Sequence, residues 1–143
     1  MKNRIKYCIA NFKMNLGTQS DLMNYFTVLN NCKITDNSKI KTIIAPPFTV
    51  LNQAIVLSEV SSKNIEIGAQ NINDNEYGAF TGEISVEMLK DCGINYVIVG
   101  HSERRFYFHE TNEEVNKKLN LAINNDLSPI FCIGETLEER EGD

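Results

Sequence analysis

The chain has 143 residues, 42% hydrophobic and 23% charged, with a formal net charge of −5; this is the composition of a globular protein that can bury a core, not of a disordered or fibrous one. Acidic and basic residues are interspersed, which leaves no basic stripe for a nucleic-acid backbone, and no apolar run approaches the roughly 20 residues that span a bilayer. A single phosphate on a small substrate could still be held by one local Lys and backbone N–H groups, because a site does not follow the global charge.

In chain order, a first strand is predicted from Ile5 to Ala10, followed by Asn11-Phe12-Lys13-Met14-Asn15. Leu22, Phe26 and Leu29 fall on one helical face behind Thr18 and Ser20 as N-caps, so a helix follows. A second strand, Ile40 to Ala45, is closed by Pro46-Pro47, and Phe48, Leu51, Ile55 and Ser58 mark a shorter helix. The third strand spans Ile65 to Ala69 and gives way to Gln70-Asn71. Ile84, Met88 and a stop at Gly93 predict a third helix. The fourth strand is Tyr96 to Gly100, with His101-Ser102-Glu103 suited to opening a short helix. Thr111 to Glu114 is a capping-box pattern that opens a helix through Val115, Leu119 and Ala122. After a fifth strand, Pro129 to Gly134, the capping-box pattern recurs at Thr136 to Glu139, with only a few residues left before Asp143.

Short β-branched runs alternating with helical periods predict a parallel α/β fold, and nearly continuous apolar runs predict strands buried on both faces. Every strand ends in small or polar residues, and in such sheets ligands bind at the carboxyl ends, so the loops form one chemical face. Neither a Gly-x-Gly-x-x-Gly pattern nor a Walker-type loop is present, which favours a barrel over a dinucleotide- or nucleotide-binding sheet. Cys8, Cys32, Cys92 and Cys132 never form a Cys-x-x-Cys pair and read as reduced thiols of a cytoplasmic protein, with no metal site expected. The apolar stretch after Met1-Lys2-Asn3-Arg4 is broken by Lys6, so no secretory signal core is expected.

Two segments stand out chemically. His101, at a strand end before a helix start, suits polarising a carbonyl or shuttling a proton, and the partial positive charge of a helix N-terminus favours its neutral form. A structural histidine bonded to backbone is the plainer alternative. Asn11 and Lys13, two positions apart at the end of the first strand, would point to one side by the strand period. An ammonium facing a barrel needs an anion, and a nearby amide offers a fixed donor; a solvated surface Lys is the alternative.

Asn11-Phe12-Lys13-Met14-Asn15, Ala69-Gln70-Asn71, Gly78-Ala79-Phe80-Thr81-Gly82-Glu83-Ile84-Ser85, the His101 segment and Cys132-Ile133-Gly134-Glu135 resemble the triosephosphate isomerase motifs, in order and at matching spacing. The resemblance runs from near residue 5 to residue 143. It implies a TIM (β/α)8 barrel, of which these residues hold five β-strands and about four helices in a single, C-terminally incomplete domain. It also implies interconversion of dihydroxyacetone phosphate and glyceraldehyde 3-phosphate through an enediolate, in glycolysis and gluconeogenesis, without a cofactor. Lys13 would contact the substrate phosphate and stabilise developing charge, Asn11 would help bind substrate, and His101 would be the neutral electrophile. The family is itself a standard worked example of a neutral histidine paired with a glutamate base. Ser102 and Glu103 match supporting positions. Cys132 matches a cysteine packed behind the catalytic glutamate, although a small buried hydrophobe explains it equally.

The stretch from Gln70 to Glu83 is long and rich in Asn and Gly, an exposed loop by its own composition, with Tyr77 and Phe80 as apolar anchors. The resemblance implies a homodimer in which this loop enters the partner, Thr81 approaches the partner's Asn11 and Lys13 region, and Met14 lies at the same interface. Where the sequence departs from the family is length. About 250 residues are usual for such a barrel, and the glutamate base, the mobile lid and the last phosphate-binding loops are all expected beyond Asp143. None of Glu110, Glu113, Glu135, Glu138 or Glu139 sits in a segment resembling the base motif. With strands six to eight missing, the first and fifth strands would keep open edges. The expectation is therefore an incomplete stretch of a normal enzyme. The competing one is a non-catalytic fragment that associates through Gln70 to Glu83 or those edges.

Overall fold

A computed structural model describes residues 4–32 and 39–142. Five parallel strands, β1 (Lys6–Asn11), β2 (Ile40–Ala45), β3 (Ile65–Ala69), β4 (Tyr96–Val99) and β5 (Ser128–Phe131), form one sheet in sequential order. The connections carry α1 (Gln19–Asn31), a 3-10 turn at Phe48–Val50 that runs into α2 (Leu51–Glu59), α3 (Val86–Asp91), α4 (Ser102–Tyr107) and α5 (Asn112–Asn124), with α6 (Leu137–Glu141) after β5. Strands paired in sequence order with helical crossovers are the opening half of an α/β barrel.

The local signals explain these elements. Thr18 caps α1 by accepting the Asp21 N–H, and both predicted capping boxes form, Thr111 with Glu114 and Thr136 with Glu139. At the end of α3, Gly93 takes φ +77, and its N–H and that of Ile94 donate to Lys90 and Leu89, the left-handed stop that glycine permits. One core joins the sheet to the helices: Ile44, Ile67, Val97 and Val99 pack with Leu22, Phe26, Ala54, Leu89, Val115 and Ala122. Away from that cluster, Lys41 is ion-paired to Glu66 at 2.8 Å and donates to the Tyr96 hydroxyl at 3.0 Å, linking β2, β3 and β4 near their amino ends.

Several expectations need correction. Burial on both faces holds for β4, all of whose residues are buried, but the first four residues of β1 are exposed and β5 is only partly covered. The physical reason is position, since β1 and β5 are the edges of the sheet. The fifth strand stops at Phe131 rather than Gly134, although the Cys132 N–H still reaches Val99 O at 2.9 Å. In the third helix the buried residues are Val86 and Leu89; Ile84 precedes the helix and Met88 is exposed. Six α-helices, not about four, are present among the described residues, because α4 forms a full turn and more after His101 and α6 follows its capping box.

Candidate active site

The carboxyl ends of β1, β3 and β4 surround a cleft of about 380 Å³ lined by Asn11, Lys13, Gln70, His101 and Glu103, with Phe48, Arg104 and Phe108 around it. Asn11 is the last residue of β1. Its Oδ1 accepts the Lys13 N–H at 2.9 Å, and Lys13 adopts φ +54. Asn11 and Lys13 thus share the cleft, but the strand period is not the cause. The strand has ended, and a turn in the left-handed region carries Lys13 back beside Asn11.

His101 is reached through a different device. Gly100 takes φ +73, and a Cβ there would stand 3.1 Å from both the Arg105 guanidinium and Val115 Cγ1, so a residue without a side chain makes the bend from β4 into α4. His101 then serves as the N-cap of α4, its Nδ1 accepting the Glu103 N–H at 3.2 Å. As the acceptor of that bond, Nδ1 leaves Nε2 as the donor nitrogen of the ring, and Glu103 Oε2 stands 3.5 Å from the same Nδ1. Arg105 fastens the bend by donating to Gly100 O at 2.9 Å.

Glu103 connects the two halves. Its Oε1 is 2.8 Å from Lys13 Nζ, a contact 90 positions apart in sequence. The hydrogen bond from Lys13, foremost, holds the Glu103 carboxyl below its ordinary pKa. The ammonium is thus kept in the cleft by a carboxylate that an incoming anion can replace, and nearby stands an imidazole with a donor to spare. That pairing suits binding an anionic group and polarising a carbonyl.

Other expected residues fall as follows. Ser102 opens α4 and is exposed. Cys132 is partly buried after β5 and does not line the cleft; burial pushes its thiol up, opposed by Arg105. Met14, 96% exposed, lies beside Lys13 at the cleft. Tyr77 and Phe80 line a separate cleft of about 710 Å³ between their loop and α3, and Thr81 is exposed. Within one chain it is the base of that loop, Gly82 to Ile84, that lines the Lys13 cleft.

Sequence reasoning missed a buried polar group behind the cleft. Lys118 on α5 and Glu110 are hydrogen-bonded in the interior; Glu110 also accepts from Arg104 Nε at 3.0 Å, and Lys118 donates to Asn71 Oδ1 at 3.0 Å. Burial alone would raise the Glu110 pKa, but hydrogen bonds from Lys118 and Arg104 outweigh it and hold it below the ordinary value. The available signal was Lys118 itself, a charge set in the apolar stripe of Val115, Leu119 and Ala122. Among the described residues no group of three or more His, Cys, Asp and Glu could hold a metal ion, and no helix is long and apolar enough to cross a membrane.

Sheet order and a polar cleft over the strand ends define the class: the α/β barrels that carry their chemistry on the loops at the carboxyl face. A family model described as triosephosphate isomerase matches residues 6–143. Among curated relatives of that name, the protein of Endomicrobium trichonymphae is 48% identical over 132 residues, covering 92% of this chain and 51% of the relative. That of Chlamydia muridarum is 45% identical over 135 residues, covering 94% and 49%, and that of Alkaliphilus oremlandii 48% identical over 133 residues, covering 92% and 51%. The chain belongs to the triosephosphate isomerase family. It spans about half the length of the curated relatives it matches.

Proposed function

We propose that the intact protein containing these residues interconverts dihydroxyacetone phosphate and D-glyceraldehyde 3-phosphate, a step of glycolysis and gluconeogenesis, by proton transfer through an enediolate. The observation that carries this reading is the convergence of Asn11, Lys13, His101 and Glu103 on one cleft at the carboxyl face of the sheet. The substrate phosphate replaces the Glu103 carboxylate at Lys13, and the ammonium then also stabilises the charge that develops on the substrate oxygens. His101 offers its Nε2–H to the carbonyl, and Asn11 orients the lysine and the substrate. Such donors act most strongly where charge develops in the transition state. No organic cofactor or metal is needed for these steps. The base that removes the carbon-bound proton is assigned to residues outside this stretch.

Residues 1–143 are read as the first part of a single barrel domain. The open edges of β1 and β5 and the half-length match to the relatives support this. A homodimer is proposed, with Met14, Tyr77, Phe80 and Thr81 at the interface; the exposure of Met14 and of Tyr77, 84%, supports it, since large apolar side chains on a loop tip gain most from a partner. A cytoplasmic location agrees with four unpaired cysteines.

A coupled assay with dihydroxyacetone phosphate, run on the intact protein together with its mass in solution, tests the reading. Turnover far above the uncatalysed rate at a dimer mass is expected. An intact protein without isomerase activity would overturn the assignment and favour a non-catalytic protein that acts by association.

A further inference from the structure

We propose that Gln70 is a positioning residue for Lys13, a role that rests on the proposed use of Lys13 at the substrate phosphate. The Lys13 backbone sits at φ +54, in the left-handed region that residues with side chains avoid, and the rest of the structure must hold it there. Side chains meet both of its polar backbone groups. Asn11 Oδ1 accepts the N–H at 2.9 Å, and Gln70 Nε2 donates to the C=O at 2.9 Å. The same Gln70 nitrogen donates to Ala45 O, also at 2.9 Å.

One side-chain amide therefore ties the turn after β1 to the end of β2 from the first residue beyond β3. Only a group with two hydrogens on one atom can serve two carbonyls this way, so the orientation of the amide is determined; reversed, its oxygen would face both carbonyl oxygens. A glutamate would place oxygen there in either orientation, and a methionine of similar shape would offer no donor. The clamp acts on the backbone of the residue whose ammonium must stand opposite Glu103 and, later, the substrate anion. Loss of the clamp should let Lys13 relax toward ordinary φ and withdraw Nζ from the cleft.

The test is a double-mutant cycle on the intact protein: the parent, Gln70→Met, Lys13→Ala and the double variant. Isomerase kcat/KM is read in each, with binding of inorganic phosphate followed by phosphorus NMR, which needs no turnover. Gln70→Met should lower kcat/KM on the order of 10- to 100-fold, the penalty of a misplaced catalytic group. It should weaken phosphate binding about tenfold in the parent and less than about twofold when Lys13 is already alanine, because residues that act through one another do not add. Gln70→Glu should be at least as damaging as Gln70→Met. Equal losses in both backgrounds, or unchanged kinetics and phosphate binding, would overturn the proposal. An intact protein that lacks isomerase activity but shows the coupled loss of phosphate binding would remove the isomerase reading and leave the positioning role standing.

Discussion

In the proposed function Lys13 has two duties at one atom, and in the structure its ammonium is paired with Glu103. In the intact protein Lys13→Ala should raise KM and lower kcat together, because the proposed function gives one ammonium both phosphate binding and charge stabilisation; steady-state kinetics check this, and unchanged constants would remove Lys13 from the site. The same variant should raise the titration midpoint of the Glu103 carboxyl, read by NMR, since the Lys13 hydrogen bond is the leading cause of its lowered pKa. The sign follows from the direction of the shift. A carboxyl held lower in the folded chain than its ordinary 4.5 stabilises the fold above that pH, and the gain is lost as pH falls through the folded value. His101→Asn should mainly reduce kcat with little change in thermal stability. A purely structural histidine would give the reverse, a lower melting temperature with a near-normal rate per folded molecule.

Among the elements, the bend from β4 into α4 and the packing of α5 behind it decide where His101 stands. Gly100→Ala must accept φ +73 and push a Cβ against Arg105 and Val115 at 3.1 Å. Strain in the left-handed region and overpacking together should cost about 2 to 4 kcal/mol, and chemical denaturation measures the loss. The interior pair of Glu110 with Lys118 sets a second expectation. Lys118→Met should destabilise by about 3 kcal/mol, the usual result of leaving one buried charge short of its partner. The Glu110 pKa is lowered in the fold, so its contribution is present above pH 4.5 and fades as pH falls through the folded value. Removing Lys118 should flatten that acid limb, which denaturation curves across pH 3 to 6, roughly the window around a carboxylate's ordinary pKa, would register.

At the scale of the molecule β1 and β5 are, among the described residues, the two unpaired edges of the sheet. On and beside them Tyr7, Ile9, Phe131 and Ile133 are exposed. A sheet closed into a barrel has no edges, whereas an open one offers its N–H and C=O rows and apolar side chains to other chains. Residues 1–143 expressed alone should therefore self-associate and show no isomerase activity, as light scattering and the coupled assay would report. A monomeric, active 143-residue protein would contradict both the closure argument and the assignment of the base to residues beyond this stretch.

The strands were readable because parallel strands under helices are written as short β-branched runs, and the caps because Thr111 with Glu114 and Thr136 with Glu139 act within four residues. The polar strand ends likewise exposed Asn11, Lys13 and His101 as candidates. What the sequence by itself determined was local: which segments form strands and helices, where Gly93 and the caps bound them, and which polar residues lie at the carboxyl face. Tertiary structure alone decided the contacts between distant segments: Lys13 with Glu103 across 90 positions, Gln70 over the Lys13 and Ala45 carbonyls, and Lys118 with Asn71 across 47. Periodicity and capping report forces between residues a turn apart. A left-handed lysine, or a lysine buried on a helix, is stable only when partners elsewhere in the chain meet its polar groups, and those partners become neighbours only when the sheet brings the strand ends together.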